Sequence, residues 1–397
     1  MAITDKEQGV WELEEVYNKI NQGDIWEYNA MDPYGLFIWG ANRNGELGLN
    51  QGSPPWPQYN ISSPTQIPGS NWNQGAQGRG SLTIGVKSDN TLWAWGSNGD
   101  GGVGDNTSVQ RSSPTQIGTG TDWKHMGVGE NHGLCTKTDG TLWAWGKNGD
   151  GQSGQNNKTT YSSPIQIPGT TWDKGYANAK HAAATKTDGT LWTWGGGAQG
   201  ALGLNSNTER SSPMQVPGVT WNEVVCSGKG FIATKTDGTL WMTGNNEFGA
   251  AGQNVAPGTV GNYSSPIQIG TGTDWSLEGN AINSNTQGQS FAIKTDGTLW
   301  SWGLNGHAQL GQNNRTNYSS PTQIPGTTWK NVASAYYTTQ AVKTDGTMWT
   351  WGYNGNGDLG LNQGEPTRRS SPVQVPGTDW YGCQGSSDYN FTAFLNN

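Results

Sequence analysis

Short stretches of alternating apolar and polar residues, separated by polar loops rich in glycine and asparagine, run along most of this chain. In the stretch that begins at Trp123, the pattern predicts four β-strands, because such alternation is typical of a strand with one buried face. The predicted strands cover residues 123–128, 133–137, 141–145 and 165–167. Between the second and third, Asp139-Gly140 predicts a tight hairpin, since this dipeptide accepts the positive φ that such turns require. Trp143 and Trp145 are then expected on one face of the third strand.

This four-strand unit recurs seven times at intervals of about 50 residues. Three independent markers agree on the number. The glycine that closes the Trp-Gly step of each unit, or its equivalent, stands at Gly40, Gly96, Gly146, Gly195, Gly244, Gly303 and Gly352. The proline of Ser-Ser-Pro and a tryptophan that opens each unit also occur seven times. Seven units of four strands predict an all-β fold, a seven-bladed β-propeller in which each blade packs against its neighbours.

The two ends of the chain are expected to complete one blade together. Residues 391–395 match the second strand of other units, and the chain stops where the Asp-Gly turn would follow. Residues 35–40 then read as the third strand and residues 65–67 as the fourth. Closure by two N-terminal and two C-terminal strands would leave the ring without an open sheet edge. Residues 276–289 are predicted to be an insertion between the first and second strands of the unit that opens at Trp275.

Residues 1–31 differ in kind from the repeats. Leu13, Val16, Tyr17 and Ile20 follow the spacing of one helical face, and Gly23 is placed to end the helix. We therefore expect two parts, an N-terminal arm over residues 1–31 with a short amphipathic helix and a propeller over residues 32–397. So short a helix is marginal in water, so the arm is expected to dock on the propeller or on another protein. The candidate anchoring residues are Trp11, Leu13, Val16, Tyr17, Ile20 and Trp26.

Composition favours an aromatic core and argues against two classes of partner. Only 31% of the residues are hydrophobic, but there are 22 Trp and 13 Tyr, and 19 of the Trp occupy repeat positions. A formal charge of -8 argues against nucleic acid, where Lys and Arg must neutralise phosphates. No apolar run is long enough to cross a bilayer, and the N-terminus lacks the pattern of a signal peptide. The three cysteines fit neither a disulfide framework nor a zinc site.

The repeat itself resembles a known family. The pattern Gly-x-x-His-x-x-x-x-Lys-x-Asp-Gly-x-Leu-Trp-x-Trp-Gly-x-Asn-x-x-Gly is similar to the regulator of chromosome condensation repeat, which forms seven-bladed propellers, and the match covers residues 32–397. The chain departs from the pattern in two ways: the family's histidine occurs only at His132 and His181, and Thr243-Gly244 replaces one Trp-Gly. The resemblance implies the fold more than an activity, because similar propellers include a nucleotide exchange factor, a plant photoreceptor and a bacterial β-lactamase inhibitor.

No residue pattern points to catalysis or to a cofactor. None of His125, His132, His181 and His307 has a partner at the spacing of a metal site or a catalytic triad. The recurring turn aspartates are explained by turn formation. Residues 98–105 contain oxygen-bearing side chains that resemble a calcium loop but lack its final bidentate Glu. We therefore expect a protein that is not an enzyme and needs no cofactor or metal.

Variation is concentrated in the loops between the third and fourth strands, which should emerge on the face opposite the Asp-Gly turns. Aromatic and Arg residues dominate binding energy at protein interfaces. The candidate ligand contacts near these loops are therefore Trp56, Tyr59, Tyr161, Tyr263, Arg315, Tyr318 and Arg368. For Tyr161, Tyr263 and Tyr318, which precede Ser-Ser-Pro, a structural role is an equal alternative. Residues 1–31 should leave the ring on the other face, the one that carries the short Asp-Gly turns.

The sequence is compatible with three functions. The segment Gly9 to Tyr28 also resembles leaders of repeat proteins in tailed bacteriophages, which implies a virion structural protein. Its arm would bind other virion proteins of capsid or tail, and its loops would decorate the particle or bind a host-surface protein or glycan. It would be synthesised in the host cytoplasm without membrane insertion. The alternative is a bacterial cytoplasmic inhibitor or scaffold that binds proteins. A guanine nucleotide exchange factor is the third possibility, which the acidic charge does not favour.

Overall fold

A computed structural model describes residues 35–50, 60–77, 81–255, 261–285, 287–362, 368–385 and 390–395. These residues form a seven-bladed β-propeller in which every blade is a four-stranded antiparallel sheet. Blade 1 contains β1 (Leu36–Gly40), β2 (Ile61–Gln66), β27 (Trp380–Gly385) and β28 (Asn390–Leu395). Blade 2 contains β3 (Trp72–Gln77), β4 (Leu82–Lys87), β5 (Leu92–Gly96) and β6 (Arg111–Gln116). Blade 3 contains β7 (Trp123–Val128), β8 (His132–Lys137), β9 (Leu142–Gly146) and β10 (Tyr161–Ile167).

The remaining blades repeat this order. Blade 4 contains β11 (Trp172–Ala177), β12 (His181–Lys186), β13 (Leu191–Gly195) and β14 (Arg210–Gln215), with a short 3-10 helix at Ala198–Gly200. Blade 5 contains β15 (Trp221–Ser227), β16 (Gly230–Lys235), β17 (Leu240–Gly244) and β18 (Tyr263–Gln268). Blade 6 contains β19 (Ile282–Ser284), β20 (Gln289–Ile293), β21 (Leu299–Gly303) and β22 (Tyr318–Gln323). Blade 7 contains β23 (Trp329–Ser334), β24 (Thr338–Lys343), β25 (Met348–Tyr353) and β26 (Arg368–Val375).

Blade 1 is built from both ends of the chain, as predicted. Its strand order is β2-β1-β28-β27, and β1 pairs antiparallel with β28. Leu36 faces Phe394 and Trp39 faces Phe391 across this pair. The ring is therefore closed by two N-terminal and two C-terminal strands.

The Asp turns fix the hairpin between the second and third strands. In blade 3, Asp139 Oδ1 accepts hydrogen bonds from the backbone N–H and the hydroxyl of Thr141, at 2.9 and 2.7 Å. The Thr141 hydroxyl in turn accepts a hydrogen bond from Trp143 Nε1. Gly140 has a φ of +79°, which confirms the positive φ expected of the Asp-Gly turn. The same arrangement recurs at Asp89, Asp188, Asp237, Asp296 and Asp345.

The two tryptophans of the third strand lie on one face but differ in burial. Trp145 is 1% exposed and packs across the boundary with blade 2, whereas Trp143 is partly exposed. Trp143 and Trp123 also bracket Lys137, whose Nζ lies 5.0 and 4.6 Å from their rings. Such cation–π contacts stabilise a blade beside its Asp turn. Equivalent lysines occupy this place in blades 2 to 7.

One hydrogen bond joins each blade to the next around the whole ring. In blade 3, Trp145 Nε1 donates to the carbonyl of Gly102 in blade 2, at 2.8 Å. Five other blades use a tryptophan in the same way. One of the five is Trp39, which closes the ring by donating to Asp358 O. Blade 5 has Thr243 instead, whose hydroxyl lies 3.4 Å from Ala201 O.

A second contact joins the long loop of each blade to the fourth strand of the next. In blade 3, Asn156 adopts a φ of +56° and its N–H donates to Ser211 O, at 2.7 Å. Asparagine tolerates this left-handed conformation better than most residues. The contact occurs seven times and closes the ring at Asn362 and Ser62.

The structure corrects three predicted boundaries. The fourth strand begins at Tyr161 and not at residue 165 in blade 3, because the chain pairs at Tyr161, breaks register around Pro164 and pairs again at Ile165. For the same reason the fourth strand of blade 1 begins at Ile61 and not at residue 65. The insertion of blade 6 lies within the first strand, not between the first and second strands. Trp275 keeps a bridge to Lys294, residues 276–281 loop out, and pairing resumes at Ile282. The predicted arm over residues 1–31 lies outside the described residues.

Candidate functional site

The propeller has two chemically different faces. The second strand of each blade runs toward the Asp turn, so one face carries these turns and the other carries the long loops between the third and fourth strands. We call them the hairpin-turn face and the long-loop face. The described chain enters β1 at Leu36, which pairs with Phe394 near the end of the chain. This entry point is on the hairpin-turn face, as the strand directions predict.

Several predicted contact residues cannot be placed. Trp56 and Tyr59 lie outside the described residues, as do the candidate anchoring residues Trp11, Leu13, Val16, Tyr17, Ile20 and Trp26. Their assignment stays a prediction.

Tyr161, Tyr263 and Tyr318 occupy one repeated position at the start of a fourth strand. Each pairs with the glycine that ends the third strand of its blade. The hydroxyls of Tyr161 and Tyr318 accept hydrogen bonds from Asn157 and Asn314, at 3.0 and 2.8 Å. All three are half-buried, and Tyr263 and Tyr318 pack against the core. These contacts favour the structural alternative for the three tyrosines.

Arg315 and Arg368 lie on the long-loop face beside a group of aromatic side chains between blades 6 and 7. The ring of His307 stacks on Tyr337, with centroids 4.0 Å apart, and meets Tyr353 edge-on at 5.4 Å. Tyr336 meets Tyr337 at 4.4 Å, and the Arg368 guanidinium lies 5.5 Å from the Tyr353 ring. We call the set His307, Tyr336, Tyr337, Tyr353 and Arg368 the aromatic patch. Arg315, at its edge, donates through Nε to the carbonyl of Gly306 at 2.7 Å.

The aromatic patch breaks the repeat, which separates it from the scaffold tryptophans. One hydrogen bond, from Tyr353 N–H to Tyr337 O, identifies the equivalent positions in the other blades. In blades 2 to 6 the equivalents of Tyr337 are Ser81, Asn131, Lys180, Lys229 and Gly288. The equivalents of Tyr353 are Ser97, Lys147, Gly196, Asn245 and Leu304. None of these is aromatic, so the fold does not require an aromatic side chain at either position.

Among the described residues, the charged groups that act on His307 in the aromatic patch are positive, although the chain as a whole is acidic. Burial, followed by the nearby charges of Arg368 and Arg315, lowers the pKa of His307 below 6.5. His307 is therefore neutral at pH 7, and the two arginines carry the positive charge. Burial and the neighbouring Tyr336 raise the pKa of Tyr337, which keeps its phenol protonated.

The other titratable groups of interest are buried in the scaffold. Burial lowers the pKa of His125, His132 and His181 to about 4. It raises the pKa of all three cysteines, which leaves the thiols protonated and poorly nucleophilic. In the described part of the chain, no three His, Cys, Asp or Glu side chains are grouped as metal ligands.

The loop that resembles a calcium site is satisfied by its own hydrogen bonds. The Asp105 carboxylate accepts hydrogen bonds from the backbone N–H and the hydroxyl of Thr107 and pairs with the Arg111 guanidinium. Asn98 is buried and binds the backbone of the same loop. These side chains organise the loop.

Among the described residues, no helix has the length and apolar character needed to span a membrane.

Comparison with known proteins identifies the fold family. Residues 35–392 match the family described as RCC1-like domain. The crystal structure of human WBSCR16 superposes with a TM-score of 0.76 at 19% identity, covering 92% of this chain and 99% of that one. Prp20p from Saccharomyces cerevisiae, described with its binding properties to Gsp1p and histones, superposes with a TM-score of 0.78 at 18% identity, covering 92% of both chains. No curated protein matches the sequence. At these identities the similarity to solved structures shows the fold alone.

Proposed function

This chain belongs to the RCC1-like domain family, and from that premise we propose that it is a protein-binding propeller without catalytic activity, which binds its partner through the aromatic patch on the long-loop face. The observation that carries the proposal is the presence of Tyr337 and Tyr353 at positions where blades 2 to 6 have no aromatic side chain.

The composition of the aromatic patch suits a protein partner. Tyrosine and arginine are the residues that most often dominate binding energy at interfaces, especially when rigidly held. Tyr337 is held between His307 and Tyr336, and Tyr353 lies between His307 and Arg368. These rings are therefore ordered before binding, which reduces the entropy lost on association.

We further propose that the propeller is a structural protein of a tailed bacteriophage particle. The arm over residues 1–31 would attach to other virion proteins, and the long-loop face would bind a host-surface protein or glycan. Two features support this form of the proposal. The leader resembles those of phage repeat proteins, and the near-identical repeats fit a rapidly duplicating gene. The entry of the chain on the hairpin-turn face would leave the opposite face free for binding.

The binding proposal is tested by affinity capture from the native source with quantitative mass spectrometry. The double variant Tyr337→Ala/Tyr353→Ala should lose a specific partner that wild type retains. Lys147→Ala, a change at the equivalent of Tyr353 in blade 3, is the matched control and should retain it. A partner retained equally by all three proteins would refute the role of the aromatic patch. A captured GTP-binding protein whose nucleotide is released faster would favour exchange activity instead.

The virion assignment is tested separately by mass spectrometry of purified particles. The protein should be present at a fixed copy number per particle, and deletion of residues 1–31 should abolish its incorporation. Absence of the protein from particles, or full incorporation without the arm, would refute the assignment.

A further inference from the structure

A second departure from the repeat opens a cleft in the long-loop face at blade 4. In each of the six other blades, a buried Asn follows the third strand and its Oδ1 accepts the N–H five residues later; these are Asn42, Asn98, Asn148, Asn246, Asn305 and Asn354. In blade 3, Asn148 also donates to Thr159 O at 2.8 Å, which holds the long loop in place. Blade 4 has Gly197 at this position, so this link between the loop and the blade is missing.

The chain around Gly197 rearranges as a result. A Cβ atom on Gly197 would lie only 2.2 Å from Thr208 O, so the backbone of the long loop occupies the space of the missing Asn side chain. Gln199 adopts a φ of +61°, which is uncommon for a residue other than Gly, Asn or Asp. A cleft of about 450 Å³ remains beside this segment, within the size range of small-molecule sites.

The walls of the cleft carry one cation and one carboxylate that are available to a ligand. Gly196 separates them, because a Cβ atom added there would lie 3.2 Å from the Cβ of Lys180 and 3.8 Å from the Cβ of Asp150. Within the described residues, the Lys180 ammonium has no hydrogen-bond or ion-pair partner, and the Asp150 side chain has only a 3.5 Å contact from Gln152 Nε2. The other charged lining residues are paired elsewhere, Glu209 with Lys158 and Lys229 with Glu247.

The lining restricts the class of ligand. Among the described lining residues, the apolar side chains are those of Ala179, Ala198 and Ala201, and the one aromatic ring, that of His181, is 1% exposed. A lipid or a sugar ring would therefore find no broad apolar or aromatic surface to pack on. A ligand with a single charge would gain attraction from one wall and repulsion from the other. We propose that this cleft binds a small zwitterion, a free amino acid or a dipeptide, with its ammonium group at Asp150 and its carboxylate at Lys180. Charge-assisted hydrogen bonds of this kind are stronger than neutral ones.

The proposal is tested by isothermal titration calorimetry of the full chain with the free amino acids and a set of dipeptides. Wild type should bind at least one with a Kd of about 1 mM or lower. Asp150→Asn should weaken that binding by about tenfold or more, because it removes a charged partner, but should not change binding of the N-acetylated analogue. Lys180→Met should show the converse selectivity toward the C-terminal amide.

A second test fills the cleft with a larger side chain at position 196. Gly196→Leu, which copies Leu304 at the equivalent place in blade 6, should abolish binding with an unchanged melting temperature, whereas Gly196→Ser, which copies Ser97, should retain it. Three results would overturn the proposal: no binding of any zwitterion by wild type, equal binding by Gly196→Leu, or binding of disaccharides in preference to zwitterions. None of these readouts depends on the aromatic patch, so this proposal and the proposed function fail independently.

Discussion

Blade 5 offers a direct test of how the inter-blade core is packed. In blade 4, Trp194 on the third strand faces the small Ala182 on the second, and both are fully buried. In blade 5 the sizes are exchanged: Phe231 stands on the second strand and Thr243 on the third, and each is 1% exposed. The two residues are in contact, since Phe231 N–H donates to the Thr243 hydroxyl at 3.3 Å. Blade 1 accommodates two large rings at these positions, Trp39 and Phe391, with centroids 6.2 Å apart. For blade 5 we expect that one large ring is required and that either strand can supply it.

The expected magnitudes follow from this geometry. Phe231→Ala should destabilise the protein by about 3–5 kcal/mol, because it leaves a cavity that rigid strands cannot close. Thr243→Trp should cost about 1–3 kcal/mol, because the indole must enter space that Phe231 already fills. The double variant recreates the pair Ala182 and Trp194, and its indole N–H can donate to Ala201 O as Trp194 donates to Gln152 O. Its free energy of unfolding should lie within about 2 kcal/mol of wild type, well below the sum of the single costs.

The assay is urea unfolding followed by circular dichroism for the four proteins of this double-mutant cycle. Circular dichroism is preferred to fluorescence because one substitution adds a tryptophan. Additive single costs, with a coupling energy below about 0.5 kcal/mol, would refute the size-exchange explanation. Trp349→Ala, at a repeat position in blade 7, is a suitable control that should not couple to Phe231→Ala, because Trp349 packs against a cluster of residues from blades 6 and 7.

Three further predictions concern the ring and its response to pH. Asn156→Ala should destabilise the protein by about 1 kcal/mol or more because its left-handed φ strains alanine, whereas Asn156→Gly should retain stability in the same unfolding assay. Deletion of residues 391–397 should remove β28, expose the edge of β1 and cause self-association in analytical ultracentrifugation; an unchanged monomer with an unchanged melting temperature would contradict the closure. Burial keeps His125, His132 and His181 neutral in the folded protein, whereas the unfolded chain takes up protons at all three below pH 6.5. The free energy of unfolding should therefore be constant above pH 6.5 and fall between pH 6.5 and 4, by up to about 3 kcal/mol per histidine. Replacing all three with Gln should flatten this part of the pH profile.

The architecture could be predicted from the sequence because the same physical requirement is repeated seven times. Asp139-Gly140 with Thr141 specifies a hairpin, and Trp145 must be buried by the next blade, so each repeat identifies both its own sheet and its neighbour. The composition of blade 1 could be predicted because residues 391–395 match a second strand without its third, and residues 35–40 match a third strand without its second. Small errors arose where the chain departs from simple pairing, as around Pro164.

The aromatic patch could not be predicted with the same reasoning. Tyr336 and Tyr337 are visible in the sequence as a break in the repeat, but their contact with His307 joins two different blades. Periodicity predicts contacts between equivalent positions and carries no information on positions that differ. The same limit applies to the cleft at Gly197, where the loss of a single Asn side chain changes the path of a loop eleven residues away.

The repeat nevertheless indicates where binding residues can evolve in this fold. The Trp145-type hydrogen bond and the Asn156-type contact are retained in all seven blades, with only Thr243 altering the first. Both departures described above leave them intact: Asn205 still contacts Ser264 beside the cleft, and Asn313 still contacts Ser370 beside the aromatic patch. Because these contacts hold adjacent blades together, the side chains between them on the long-loop face can change without opening the ring. A residue on this face that differs from all its equivalents is therefore free of the scaffold's requirements, which makes such differences the most direct guide to binding sites in this propeller.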